Sequence, residues 1–245
     1  MGLIAGGQED GAVTLWDPSK FEMQNMDPNL VKMGKGCVSV AEVHPGRSTN
    51  CVAFSPFKKN LLATGGEEVL ILDIGQNIKK PSQFKPGMPN HHAGSKVTSI
   101  SWNRTVPHIL ASASTNGKIV VWDMKSSKAI FNFTESGATQ EENYFNYQDP
   151  AQIISEKKTT LIWNPKVPTE FLVSTDDDQK PEINIWDLRN PDYPVATFAD
   201  VHYNGILCAS WSDYHPELLV SSSYDNRTVI TNRHTQEQVL EFPVQ

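Results

Sequence analysis

The stretch Val97–Asp123, VTSISWNRTVPHILASASTNGKIVVWD, decides the fold. It reads as a strand VTSISW, a polar loop, a strand ILASAS, a tight turn at Thr115-Asn116-Gly117 and a strand IVVWD. Short apolar runs punctuated by Gly, Ser, Asn and Asp are strands joined by turns, not helices. Four other stretches repeat the pattern less completely. Their endings are TLWD (Thr14–Asp17), LILD (Leu70–Asp73), INIWD (Ile183–Asp187) and VITN (Val229–Asn232).

Taking Trp16, Leu72, Trp122, Trp186 and Thr231 as equivalent gives spacings of 56, 50, 64 and 45 residues. A period near 40 to 45, lengthened by loops, suits a four-stranded propeller blade. The expected fold is therefore all-β: one propeller of about five blades over residues 1–245, with long loops at 18–48, 75–95 and 135–158. The first copy reads as lacking its upstream strands. First strands align as NCVAFSP, VTSISW, TTLIWNP and ILCASW, so that Phe54, Trp102, Trp163 and Trp211 share one position. A large aromatic recurring there is expected to pack between neighbouring blades. Middle strands LLATGG, ILASAS, FLVSTD and LLVSSS follow.

In such a blade a His before the first strand, a Ser or Thr on the second, an Asp in the tight turn and the Trp of the third can form one hydrogen-bonded set. His202, Ser221 or Ser223, and Asp225 fit it in the last copy, where Thr231 replaces the Trp. In the middle copy Asn116 takes the Asp position and His92 reads one residue out of register; the LILD copy, at Gly65–Glu68, reads as too short for the set. These histidines are structural in expectation, because a buried polar group costs roughly 1–3 kcal/mol unless paired. The structural set so read comprises Trp16, Asp17, Trp122, Asp123, Trp186, Asp187, His202 and Asp225.

A formal net charge of −7 opposes nucleic-acid binding and gives an anionic membrane no handle. Lys58-Lys59, Lys79-Lys80 and Lys157-Lys158 are isolated pairs. Cys37, Cys51 and Cys208 form no CxxC, so no zinc or redox motif is present; Cys37 reads as a loop residue, and Cys51 and Cys208 as small buried hydrophobes. The opening MGLIAGGQEDG resembles neither a signal peptide nor a membrane span, and a cytosolic location is expected. Sequons at Asn103, Asn132 and Asn226 read as chance.

Catalytic readings fail on the residues. Gly34-Lys35-Gly36 lacks the spacing of a phosphate loop, and His91-His92 has no completing ligands. Asp176-Asp177-Asp178 lacks the Gly and distal Glu of a calcium loop and reads as a solvated turn. No enzyme activity, cofactor or metal is expected. The acidic, aromatic segment 135–158 carries Tyr144, Phe145 and Tyr147, either a partner anchor or a loop folded onto its own blade.

The order of copies, the WDLRN linker (Trp186–Asn190), the NGILCASW strand (Asn204–Trp211) and the QEQVLEFP ending (Gln236–Pro243) resemble one family. It is the WD-repeat propeller at the N-terminus of the larger outer-cage subunit of the COPII vesicle coat. The resemblance implies a non-catalytic cytoplasmic scaffold, peripheral on endoplasmic-reticulum exit membranes, whose propellers meet at cage vertices. It also implies a smaller WD-repeat outer-coat subunit and inner-coat subunits as partners, normally contacted beyond the propeller. Seven blades are expected in that family, so five endings look like a truncated ring.

Two other readings arise from the residues. Trp186-Asp187-Leu188-Arg189 resembles the box by which some propellers dock on a cullin-type ubiquitin ligase adaptor, with Arg189 as the exposed contact. The plainer reading pairs Asp187 and Arg189 locally. A chromatin or signalling adaptor would need a basic or aromatic ring, which the sequence does not concentrate.

Overall fold

The computed structural model describes residues 2–20, 36–75, 82–84, 91–92, 94–134 and 157–243. The chain forms five antiparallel sheets in sequence order, each one blade. Blade 1 contains β1 (Ile4–Gly7), β2 (Ala12–Trp16) and β3 (Cys37–Glu42). Blade 2 contains β4 (Cys51–Phe54), β5 (Leu61–Gly65), β6 (Val69–Asp73) and β7 (Ser82–Phe84). Blade 3 follows with β8 (Val97–Trp102), β9 (Ile109–Ser114), β10 (Lys118–Asp123) and β11 (Lys128–Thr134). Blade 4 is β12 (Thr159–Trp163), β13 (Glu170–Thr175), β14 (Ile183–Asp187) and β15 (Ala196–Phe198). Blade 5 is β16 (Ile206–Trp211), β17 (Leu218–Ser223), β18 (Arg227–Asn232) and β19 (Gln238–Pro243). Among the described residues the only helical element is a short 3₁₀ turn, Pro18–Lys20.

Two expectations about the connections are corrected. The segment 18–48 contains β3 and 75–95 contains β7, because the third strand of each blade bonds an outer fourth strand. The first copy also has an upstream strand, β1, paired with β2 from Ile4↔Trp16 to Gly7↔Val13. Only the innermost strand is missing from that sheet. Cys37 accordingly lies buried on β3, not in a loop.

The turns explain the Asp of each ending. Asp17, Asp73, Asp123 and Asp187 each accept, through Oδ1, the N–H two residues on, from Ser19 (3.0 Å), Gly75 (2.9 Å), Lys125 (2.8 Å) and Arg189 (3.0 Å). Asn232 does the same for His234 at 2.9 Å, so the degraded fifth ending keeps its function. A short side chain that bonds its own backbone two residues on turns the chain without a helix. Asn103 and Asn164 bridge the loop between the first and second strands in the same way, which buries the Asn103 sequon.

Middle strands are covered on both faces. Leu62, Ala63, Leu110, Ala111, Phe171 and Leu172 have no exposed surface. Ala111, Ala113, Ile119 and Val121 of blade 3 meet Leu161, Trp163, Phe171, Val173 and Trp186 of blade 4. Leu172, Ile183, Ile185 and Phe198 on the opposite face of blade 4 meet Ile206, Ala209, Trp211, Leu219 and Val229 of blade 5. Small residues at Ala63, Ala111 and Ala113 let adjacent sheets approach.

The shared aromatic position stitches these interfaces. The indole N–H of Trp102 donates to the Ala53 carbonyl (3.0 Å), that of Trp163 to Ser101 (3.1 Å) and that of Trp211 to Ile162 (3.2 Å). Each acceptor directly precedes the aromatic residue of the blade before. The array is open at its ends: Ile4 on blade 1, and Val220, Leu240 and Phe242 on blade 5, are exposed. Trp163→Phe keeps the ring but removes one stitch; an expected loss of about 1 kcal/mol, a melting temperature lower by roughly 2–4 °C, is readable by thermal circular dichroism.

Candidate interaction sites and the hydrogen-bond sets behind them

Strand register fixes which side chains are equivalent. Opposite Leu72, Trp122, Trp186 and Thr231 stand Leu62, Leu110, Phe171 and Leu219. Two residues further along lie Thr64, Ser112, Val173 and Ser221. In blade 5, His202 Nε2 meets Ser221 Oγ at 2.8 Å and Nδ1 meets Asp225 Oδ2 at 3.0 Å, so Ser221, not Ser223, completes the set. Ser223 Oγ instead donates to the Asn204 carbonyl at 2.7 Å. Thr231, at the Trp position, is buried with an unbonded hydroxyl.

Blade 3 carries a fuller set than its sequence promised. His92 is in register, with Nε2 at 2.7 Å from Ser112 Oγ and Nδ1 at 2.8 Å from Ser114 Oγ. Trp122 Nε1 donates to the same Ser112 hydroxyl at 2.8 Å. Ser114 Oγ donates to Asn116 Oδ1 at 2.7 Å, so the amide does the work of the Asp. The out-of-register expectation counted residues to the strand, whereas the chain between His92 and β8 follows a turn closed by Ser95 N–H donating to His92 O. His91 stacks edge-on to Trp122 with centroids 5.0 Å apart, so the His91-His92 pair is packing and hydrogen bonding. Among the described residues no group of three metal-ligating side chains occurs.

Blade 2 holds half a set in spite of its short turn. His44 Nε2 lies 3.1 Å from Thr64 Oγ1, and Gly66 leaves room for that ring, since a Cβ there would sit 2.8 Å from His44 Nδ1. Blade 4 has no hydroxyl at the central position; Val173 stands there and Trp163 meets Phe171 edge-on at 5.3 Å. Apolar contact replaces the polar relay.

Burial pushes the His92 imidazole down to about 3, with the nearby Lys118 and His91 charges adding to the effect. A folded-state value below the unfolded 6.5 means that the unfolded chain takes up the proton first, so stability falls as pH drops from about 6.5 toward 3. His92→Gln is expected to cost about 1–3 kcal/mol at pH 7. Its stability gap to the natural chain should narrow as pH falls to 5, measured by urea unfolding at each pH.

The acidic run is not a freely solvated turn. Lys158 N–H donates to Asp176 Oδ1 at 2.6 Å, Lys157 pairs with Asp177, and Gly205 N–H donates to Asp178 Oδ1 at 2.8 Å. A Cβ on Gly205 would meet the Asp176 carbonyl oxygen at 2.2 Å, so blades 4 and 5 close here only over glycine. Of the cysteines, Cys51 is held up to about 12 by burial, while Cys208 is exposed, against expectation. It lies on the far face of blade 5, which no sheet covers.

A buried ion pair between blades 4 and 5 escaped the sequence reading. Arg233 forms a fork with Glu170, Nη2 to Oε1 at 2.9 Å, and Asn164 Nδ2 adds 3.1 Å to Oε2. The signal was present in the repeats. Glu170 sits at the register of Leu61, Ile109 and Leu218, and Arg233 at that of Ile74, Met124 and Leu188, so two charges replace apolar residues in matched positions. Arg233→Leu alone should cost about 3–5 kcal/mol by stranding Glu170. Arg233→Leu with Glu170→Leu should recover most of it, read as denaturation midpoints.

Of the contact residues read from sequence, Tyr144, Phe145 and Tyr147 lie outside the described residues. Arg189 is exposed, yet its guanidinium grips Asp187, with Nε at 3.1 and 3.0 Å from the two carboxylate oxygens and Nη2 at 2.5 Å from Oδ2. Asp187 is thereby held below the usual carboxylate range. Exposed aromatics the sequence did not single out are Tyr193, Tyr203, Tyr214 and Tyr224. Tyr203 lies under Arg227, 5.1 Å from ring centre to guanidinium carbon.

Repeated four-stranded blades, Trp-Asp endings that cap their own turns, and His–Ser–Trp sets define a run of WD-repeat propeller blades. Residues 85–123 match the family model described as WD domain, G-beta repeat. The particular proteins the chain is similar to are Sec31 transport proteins. It is 32% identical over 98% of its length to SEC31 of Dictyostelium discoideum, and 30% identical over its whole length to Sec31B of Mus musculus. It spans only 16% and 19% of those relatives. A solved chain described as "COPII on membranes, outer coat vertex" superposes with a TM-score of 0.78 at 26% identity, covering 99% of this chain and 58% of that one. A chain from the mitotic checkpoint complex, at 19% identity and a TM-score of 0.65, shares the fold alone.

Proposed function

We propose that the chain is a non-catalytic scaffold module of a COPII-type outer coat, giving protein–protein contacts at cage vertices in transport from the endoplasmic reticulum. The observation that carries this reading is the superposition on a vertex chain along nearly the whole array. A role in protein transport is also what the printed names of the matching relatives describe. In this reading the chain works on the cytoplasmic face of exit-site membranes. Its partners are propellers of neighbouring coat subunits; a smaller WD-repeat subunit and inner-coat subunits are engaged by the longer protein. Membrane contact is indirect, and no helix among the described residues is long and apolar enough to span a bilayer.

The ligase-adaptor reading loses its main support, because the Arg189 side chain it would present is already committed to Asp187. The test replaces the matching segment of yeast SEC31, to which the chain is 29% identical, with residues 1–245. Export of a secretory cargo and capture of coat subunits from cytosol are then scored. Retained export with coat subunits recovered is expected, and Arg189→Ala should change neither. Loss of export together with recovery of a ligase adaptor, abolished by Arg189→Ala, would overturn the proposal.

A further inference from the structure

Blade 1 is the single sheet that lacks an innermost strand among the described residues. By register, Ile4, Ala5, Gly6 and Gly7 of β1 hold the positions of Leu110–Ala113 in blade 3, Leu62–Gly65 in blade 2 and Phe171–Ser174 in blade 4. All twelve of those residues are buried, and none of the four on β1 is. Two gaps account for this. Ile4 and Gly6 face away from blade 2, where no sheet stands, which leaves Ile4 49% exposed. Ala5 and Gly7 face blade 2, which is present.

Ala5 therefore isolates the second gap. It touches the core shared by blades 1 and 2, yet it stays partly exposed, while its counterparts Ala63, Ala111 and Leu172 are 0% exposed. What they have and Ala5 lacks is a strand along their inner edge. The backbone agrees. The carbonyls of Leu61, Ile109, Glu170 and Leu218 accept N–H groups continuing the innermost strands, from Ser55, Asn103, Asn164 and Ser212 at 2.9 to 3.0 Å. Their counterpart is Leu3, and strand groups alternate by two, so Ala5 and Gly7 also turn peptide groups to the free edge.

We propose that this edge of β1 accepts an extended segment of a partner polypeptide, antiparallel to Ile4–Gly7, with an aromatic residue opposite Ile4. The chemistry of the occupant is set by the four strands that fill this place elsewhere. They are CVAF, VTSISW, TTLIW and ILCASW, and their terminal aromatics pair with Leu62, Leu110, Phe171 and Leu219. Backbone ladder bonds supply the affinity and the aromatic ring over Ile4 supplies the choice of sequence, the mode by which sheet edges capture peptides. The slot is continuous with an interface already built, since each innermost strand lies beside the next one and β4 bounds this one. It stands apart from the coat reading, and peptide binding holds or fails whichever coat subunits the chain recruits.

The probe is a fluorescein-labelled peptide with the sequence of residues 96–103, Lys-Val-Thr-Ser-Ile-Ser-Trp-Asn, titrated into the chain of residues 1–245 and followed by anisotropy. Saturable binding is expected. It should weaken at least tenfold for a peptide with Ala in place of its Trp. The same loss is expected for Ala5→Pro, which removes an edge N–H while leaving the β1–β2 ladder, a change that edge strands tolerate. Val220→Lys on the open face of blade 5 should leave binding unchanged, with folding of both variants checked by circular dichroism. Absence of saturation with the natural chain, equal binding to Ala5→Pro, or loss with Val220→Lys overturns the proposal.

Discussion

Face-to-face contact between successive sheets is the constraint from which the rest follows. No blade covers both its own faces, so each strand pattern is written for neighbours. Middle strands, sandwiched on both sides, read as unbroken runs of apolar and small residues. Innermost strands carry a large aromatic whose indole reaches back to a carbonyl of the blade before, a bond that fixes the offset between sheets as well as their proximity. Where the aromatic is Phe54, packing alone sets that offset. A dispersion and hydrophobic interface determines that sheets adhere, and the directional bond determines where.

The polar sets behind the Trp-Asp endings vary from blade to blade without loss of the fold. Blade 3 uses His92, Ser112, Ser114, Asn116 and Trp122; blade 5 runs without the Trp; blade 2 keeps a His–Thr contact; blade 4 substitutes apolar residues. The common element is satisfaction of buried groups, not a fixed residue list. Glu170 and Arg233 extend the principle. A charge at an apolar register is tolerable because a second charge at another apolar register answers it.

Much of this was legible in the chain. Recurring endings fixed the number of blades, the aromatic column fixed their packing, and His202–Asp225 was read correctly because both residues flank clear strands. What escaped depends on the path of the loops. β3 and β7 follow long or irregular connections that carry no alternating signature strong enough to find them. His44 and His92 reach their hydroxyls through turns whose geometry a residue count does not capture. Cys208 was misread because burial was inferred from strand position, when it depends on whether another sheet lies against that face.

Repetition also governs how such an array comes apart. Each blade draws its stability from its own ladder and from the sheets on either side, as in a one-dimensional chain of coupled units. Blades 2 to 4 have two neighbours; blades 1 and 5 have one, and blade 1 also lacks a strand. Opening should therefore begin at the ends and travel inward, in graded steps and not as one collective event. The Glu170–Arg233 fork works against this at one end, because blade 5 cannot leave without exposing a lone carboxylate in the wall of blade 4. The two ends of the array thus differ in kinetic character, one free to fray and the other latched.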